Sequence, residues 1–311
     1  MYSFIFRVDS GNIPELGTGH LYRCINIYNY LIKKGINKRK LLFITKTTGK
    51  YEITKKILNR HNIRYETLSA KILDYSKEEI FFLQNFNSRV IILDRLSRIN
   101  SNFVKLIKKN FKKVIGIDIL KKKEIKIDYF INPLNNDLNN KHKLKNFKNN
   151  ILPSLNKRKQ ISKKNKIKKI FVFFGGYDYK KINDKIKKIV IKNSKFVIPK
   201  SKSNFFDLMS QSDLVICSGG LTVFDAIYFN KIIISVPQYR HQLKNLKILQ
   251  ENGAISLCKI SSNFKKNMKN LIQHSLDLSY KEKSTIYKKQ NKIISSESQL
   301  KTLNKIYDAN L

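Results

Sequence analysis

LVICSGGLTVFDA, residues 214–226, decides the fold. Four apolar residues run without a polar break into Ser218-Gly219-Gly220, and a helical pattern follows in which Leu221, Phe224 and Ile227 fall on one face. A strand apolar on both faces needs cover on both, which a parallel sheet between layers of helices supplies. The glycine pair at the strand-to-helix junction brings the backbone close to whatever lies beyond the strand.

Working outward, the same grammar recurs. FVFFGGYD, residues 171–178, is a second apolar run ending in Gly175-Gly176, and FVIP and KIIISVP continue the series. In the first half YSFIFRV, LLFIT, VIILD, KVIGID and DYFIN alternate with helical patterns. The expectation is α/β: two Rossmann-type parallel-sheet domains. LPSLNKRKQISKKNK, residues 152–166, is polar, cationic and without either hydrophobic period, so it reads as the linker between domains 1–151 and 167–311. NPLNNDLNNKHKLKNFKNN, residues 132–150, reads as a biased, solvated connection, and residues 261–311 are helical in pattern and rich in lysine.

The chain of 311 residues carries a formal net charge of +41. Clustered cations bind phosphate backbones, but only ten of the 63 basic residues are Arg, and the lysines accompany an excess of Asn and Ile. All three have A/T-rich codons, so genome bias accounts for the charge with no specific nucleic-acid partner, and a basic nucleic-acid-binding protein is the weaker alternative. No run approaches the length of a membrane helix, and the N-terminus lacks a basic, then apolar, leader. We expect a cytoplasmic chain with no integral membrane contact, whose lysines allow peripheral contact with an anionic surface. Cys24, Cys217 and Cys258 are widely separated in apolar segments and read as reduced core residues. No metal-ligand spacing occurs, so neither a metal nor a cofactor is expected.

Candidate chemistry gathers after the strands. ELGTGHLYRC, residues 15–24, follows the first strand, and Leu21, Ile25, Tyr28 and Ile32 set a helix beginning near Gly19 or His20. Gly17 and Gly19 permit a tight turn and close approach, His20 stands at the helix N-terminus, and Arg23 lies one turn on along the same face. On spacing alone this fits a ligand-binding turn and a plain helix start equally. Ser218, Gly219, Gly220 and Thr222 offer N–H and O–H donors to a diphosphate, and Asp225 an acceptor to a ribose hydroxyl, unless the glycines only make a tight turn. Asp94 and Asp118 are strand-end carboxylates, and His241-Gln242 opens a helix after a strand. Histidine near a phosphate-binding site is the best acid–base candidate.

FRVDSGNIPELGTGHLYRC, IILD, FFGGYD, SDLVICSGGLTVFDA and VPQYRHQ, in this order, resemble the UDP-sugar hydrolases of the pseudaminic-acid pathway and the related spore-coat polysaccharide family. The SGGLT segment is shared with the wider GT-B nucleotide-sugar enzymes, including the glycosyltransferase that makes lipid II. The resemblance implies a GT-B architecture with its two domains facing across a cleft, nucleotide on the C-terminal domain and sugar toward the N-terminal one. It implies that His20 is the general base activating water to displace UDP from the anomeric carbon, without a metal. It implies that Arg7, Asp9 and Arg23 shape and charge-balance the surroundings of His20 and that Ser218, Gly219, Gly220, Thr222 and Asp225 hold UDP; the residue patterns themselves add Gly17, Gly19, Asp94, Gly175, Gly176, His241 and Gln242 as candidates about the substrate. The chain departs from the family at two points: Asp94-Arg95-Leu96 replaces Asp-His-Tyr or Asp-Asp-Tyr, and His241-Gln242 replaces Asn-Gln. Both bear on the sugar. A glycosyltransferase using a UDP-sugar donor is the alternative activity.

Overall fold

The computed structural model describes residues 1–11, 16–122, 124–133, 144–152, 169–175, 178, 180–189, 191, 194–199 and 204–311. Contacts divide the chain into two compact units, the first comprising Met1–Lys141, Asn149–Ile151 and Glu297–Leu311, the second His142–Lys148 and Leu152–Ser296. The last fifteen or so residues thus belong with the first unit rather than with residues 167–296. Residues 153–166 of the expected linker lie outside the described residues.

In the first unit the strands are β1 (Tyr2–Val8), β2 (Leu41–Lys46), β3 (Tyr65–Leu68), β4 (Ser88–Asp94), β5 (Phe111–Ile117) and β6 (Tyr129–Ile131), all parallel, in the order β3-β2-β1-β4-β5-β6. Helices α1 (Gly19–Lys33), α2 (Glu52–Arg60), α3 (Lys77–Gln84) and α4 (Ser101–Ile107) connect them. β1 and β4 are adjacent, Val8 in register with Asp94, although two strands intervene in the chain. The connections leave β1 and β4 in opposite directions across the sheet. Their C-terminal ends therefore open a crevice where a parallel sheet places its ligands.

In the second unit β7 (Lys169–Phe173), β8 (Lys195–Val197), β9 (Leu214–Cys217), β10 (Ile232–Ser235) and β11 (Ser256–Leu257) order as β11-β10-β9-β7-β8, again parallel. Helices α5 (Ile182–Lys187), α6 (Phe205–Ser210), α7 (Leu221–Tyr228), α8 (Arg240–Glu251), α9 (Phe264–Asp277) and α10 (Tyr280–Ile293) accompany it. Here β7 and β9 flank the switch point, so both glycine-ended strands meet there. The core carries Ile170, Val172, Ile216 and Ile234 from the strands with Met268 and Ile272 from α9.

The final helix, α11 (Ser296–Asp308), returns to the first unit. There Tyr30 donates a hydrogen bond to Asn304, and Arg89 donates to the Asn310 carbonyl at 2.8 Å. Among the described residues no helix is long and apolar enough to cross a membrane. The expected strands appear, with two additions at sheet edges, β3 and β11. β3 reads YETL and is half exposed, so it lacks the apolar signature of its neighbours. The Asp94 strand is consequently the fourth of its sheet in chain order.

Candidate active site

α1 begins at Gly19, and no side chain caps it. Neither Gly17 nor Gly19 adopts a left-handed backbone. A Cβ at Gly17 meets nothing within 4 Å, which leaves open space beside the start of the helix.

His20 and Arg23 point inward together. His20 Nδ1 lies 2.6 Å from Asp94 Oδ1. Arg23 donates from Nε to Asp94 Oδ2 at 2.7 Å, from Nη2 to Asp94 Oδ1 at 2.6 Å and from Nη1 to Asp118 Oδ2 at 2.6 Å. Asp94 and Asp118 are fully buried, Arg23 almost so, and the His20 side chain is 9% exposed. Burial by itself pushes the Asp94 carboxyl up, but Arg23 and then His20 outweigh it and hold the group at about 2. Asp94 is therefore an anion, and 2.6 Å to an anion requires the proton on Nδ1. The lone pair of the neutral ring falls on Nε2.

Asp118 answers differently to the same arginine. Burial raises its pKa, Arg23 works against that, Asp94 adds to it, and the net shift is upward. Arg23 gives Asp94 two N–H bonds and Asp118 one, so Asp118 is the more proton-hungry carboxylate. The Cys24 thiol, pushed well up by burial and by Asp94, stays protonated and donates to Asp94 Oδ2 at 3.6 Å.

Beside this group runs a second ionic network. Arg7 in β1 grips Asp9 through both terminal nitrogens, at 2.7 and 2.9 Å, and donates from Nε to Glu79 Oε1 at 2.6 Å. Arg95 donates twice to Glu79, at 2.7 and 3.1 Å, with its guanidinium 4.0 Å from the centre of the Tyr75 ring. Lys46 backbone N–H closes on Asp9 Oδ1 at 2.8 Å. Burial favours the neutral form of Glu79, yet Arg95 and then Arg7 lower its pKa to about 2. Asp74, 29% exposed, meets Lys46 at 3.2 Å, Arg95 at 3.4 Å and Arg7 at 3.7 Å. Arg7 and Asp9 are thus spent on one another and on the frame beneath the crevice.

The sequence singled out His20, Arg23, Asp94 and Asp118 but not Glu79. The signal for Glu79 was disguised. Ser76 caps α3 by accepting from Glu79 N–H at 3.2 Å, so Ser76-x-x-Glu79 has the pattern of a capping box. The Glu79 carboxylate turns inward instead, accepting from Tyr75 N–H at 2.5 Å, with Tyr75 held at φ +62°.

In the second unit Ser218, Thr222 and Asp225 are buried around the start of α7, which also lacks a side-chain cap. Gly219 is required by packing: a Cβ there would stand 2.8 Å from Gln242 Cβ and 3.0 Å from Leu246 of α8. At Gly220 a Cβ meets nothing within 4 Å. Gly175 has φ +88°, a backbone that calls for glycine, while Gly176 lies outside the described residues. Gln242 accepts from Gln238 N–H at 2.9 Å, and Gln238 Nε2 donates to the Phe174 carbonyl at 2.8 Å. Gln238, which the sequence did not single out, ties the loop after β10 to the end of β7. The His241 ring stacks on Tyr239 at 5.6 Å and 7°. Among the described residues no group of three or more His, Cys, Asp or Glu is placed to hold a metal ion.

Two parallel-sheet α/β domains of this kind define the GT-B class of fold. Residues 142–303, over half of the chain, match the Glycosyltransferase family 28 C-terminal domain, and the chain belongs to that family. The uncharacterized protein MJ1062 of Methanocaldococcus jannaschii is 23% identical over 278 residues, covering 74% of this chain and 54% of that one. The chain spans about half the length of this curated relative. Among solved structures, MurG of Acinetobacter baumannii superposes with a TM-score of 0.57 at 10% identity, covering 99% of both chains. UGT89C1 of Arabidopsis thaliana, complexed with UDP, gives 0.59 at 10% identity, covering 99% of this chain and 100% of that one. These likenesses carry the fold.

Proposed function

We propose that the protein is a nucleotide-sugar hydrolase that releases UDP from a UDP-amino-sugar in the biosynthesis of surface glycans and nonulosonic acids such as pseudaminic acid. The observation that carries this reading is the 2.6 Å contact between His20 Nδ1 and Asp94, which leaves Nε2 as the proton acceptor. Water attacks the anomeric carbon, its proton passes to Nε2, and the bond from that carbon to the phosphate oxygen breaks with its electron pair leaving on UDP. Asp94 stays ionised and stabilises the imidazolium that forms. The family match over residues 142–303 and the UDP in the Arabidopsis structure support a nucleotide-sugar substrate. Uncapped N–H groups at the start of α7, with Ser218, Gly219, Gly220 and Thr222, suit the diphosphate. Asp225 is the acceptor for ribose, and Gly175, Gly176, His241 and Gln242 are the substrate side of this unit. Gly17, Gly19, Arg7, Asp9, Arg23 and Asp94 shape the sugar side around His20.

A second reading keeps the base and changes the acceptor from water to a sugar or lipid hydroxyl. It is favoured by the family match to a glycosyltransferase domain and by the transferase titles of similar structures, such as Spinosyn Forosaminyltransferase SpnP (TM-score 0.60, 7% identity, covering 99% of each chain). One experiment separates the two. UDP release from a panel of UDP-amino-sugars is followed in chelator-containing buffer without acceptor. Hydrolysis predicts turnover there, and UDP binding without release until an acceptor is supplied identifies a transferase.

A further inference from the structure

The His20 ring stands at a fork. Its Nδ1 has two neighbours of opposite demand: Asp94 Oδ1 at 2.6 Å, which needs a proton on Nδ1, and Arg23 Nη2 at 3.0 Å, which needs a lone pair there. Only the first leaves Nε2 as acceptor, so the tautomer depends on where the guanidinium is aimed. Asp94 fixes its Nε and Nη2 side. The opposite corner, Nη1, is fixed by Asp118, 95 residues along the chain from Arg23. Asp118 sits just beyond β5 at φ +52°, its N–H bonded to the Ile131 carbonyl at 2.9 Å and its side chain fully buried.

Charge points the same way. Among the described residues, the ionisable groups bonded to one another here are His20, Arg23 and Cys24 from α1, Asp94 from β4 and Asp118 beyond β5. With a protonated ring, two cations meet two carboxylates, and the buried set is neutral. Remove the Asp118 charge, and the imidazolium produced in the reaction leaves one uncompensated positive charge among these buried groups.

We propose that Asp118 is a positioning residue for His20: by anchoring Arg23 Nη1 from behind, it holds the guanidinium in its two-bond grip on Asp94, so that Asp94 rather than Arg23 governs Nδ1, and so selects the Nδ1–H tautomer. Its kinetic consequence rests on the proposed role of His20 as base; its structural consequence does not.

Long-range 1H–15N correlation of the histidine rings in the ligand-free protein reads the tautomer directly, with His20→Gln assigning one signal among five histidines. The wild type should show Nδ1–H with an acceptor Nε2, and an Nε2–H ring there would overturn the proposal at once. In Asp118→Asn the Nε2–H form should appear, and kcat on the sugar nucleotide should fall about ten- to a hundredfold with KM within about twofold. Asn accepts the left-handed backbone at 118, so the variant is compatible with the fold; Asp118→Ser, smaller and uncharged, makes the same test should Asp118→Asn not fold. An unchanged tautomer in a folded variant would contradict the proposal whatever its activity. Absence of turnover in the wild type on every sugar nucleotide would instead count against the proposed function and leave the NMR result standing.

Discussion

The two sheets share a plan and differ in what they place at their switch points. Beyond β1 and β4 stand buried ions: His20, Arg23, Asp94 and Asp118, with Arg7, Asp9, Glu79 and Arg95 beside them. Beyond β7 and β9 stand glycines, hydroxyls and amides: Gly175, Ser218, Gly219, Gly220, Thr222 and Gln238. Charges held rigidly in a dry place set protonation states and suit proton transfer. Neutral donors at an uncapped helix start suit an anion that must bind and later leave. On the proposed function the same topology would serve two tasks, divided by the side chains after each strand.

This contrast can be broken on the ionic side first. Glu79→Ala leaves Arg7 without its Nε partner and Arg95 without its main anion, and loss of one partner from a buried pair costs on the order of 3–5 kcal/mol. Thermal unfolding should show it, and a stability change within about 0.5 kcal/mol would mean that the network is not a frame. The same network predicts acid sensitivity. Asp94 and Glu79 ionise at about 2 in the folded protein, below their ordinary values of 3.8 and 4.5, so their stabilisation is complete above the ordinary values and is lost as pH falls toward 2. Each contributes on the order of 2–3 kcal/mol. A melting temperature that stays flat from pH 5 to pH 2.5 would contradict this. On the neutral side the expected effect is smaller. Gly219→Ala drives a methyl against Gln242 and Leu246 and should cost about 1–3 kcal/mol by overpacking while moving α8 off the turn. UDP affinity, measured by calorimetry, should fall with it, and wild-type affinity would detach that turn from nucleotide binding.

The difference also explains what the sequence disclosed. Buried parallel strands are apolar on both faces, so YSFIFRV, VIILD and LVIC were legible, whereas the edge strand YETL was not. His20, Arg23 and Asp94 were legible because motif and strand end coincide. Glu79 was not, since its partner Arg7 lies 72 residues away and Ser76-x-x-Glu79 has a complete local explanation as a helix cap. Arg95, legible only as a departure from a family pattern, is the partner of that hidden glutamate. Long-range ion pairs leave no periodicity in a sequence, and no local pattern records them.

The central claim is that His20 does proton work while the glycine-ended strands of the other unit hold the nucleotide. The most direct test is His20→Ala, assayed in parallel for UDP binding by calorimetry and for UDP release from a turned-over sugar nucleotide. The account predicts UDP affinity within about twofold of wild type and turnover lower by a factor of about a hundred to ten thousand, the range typical of a lost general base. Near-normal turnover, or a loss of UDP affinity matching the loss of turnover, would contradict it.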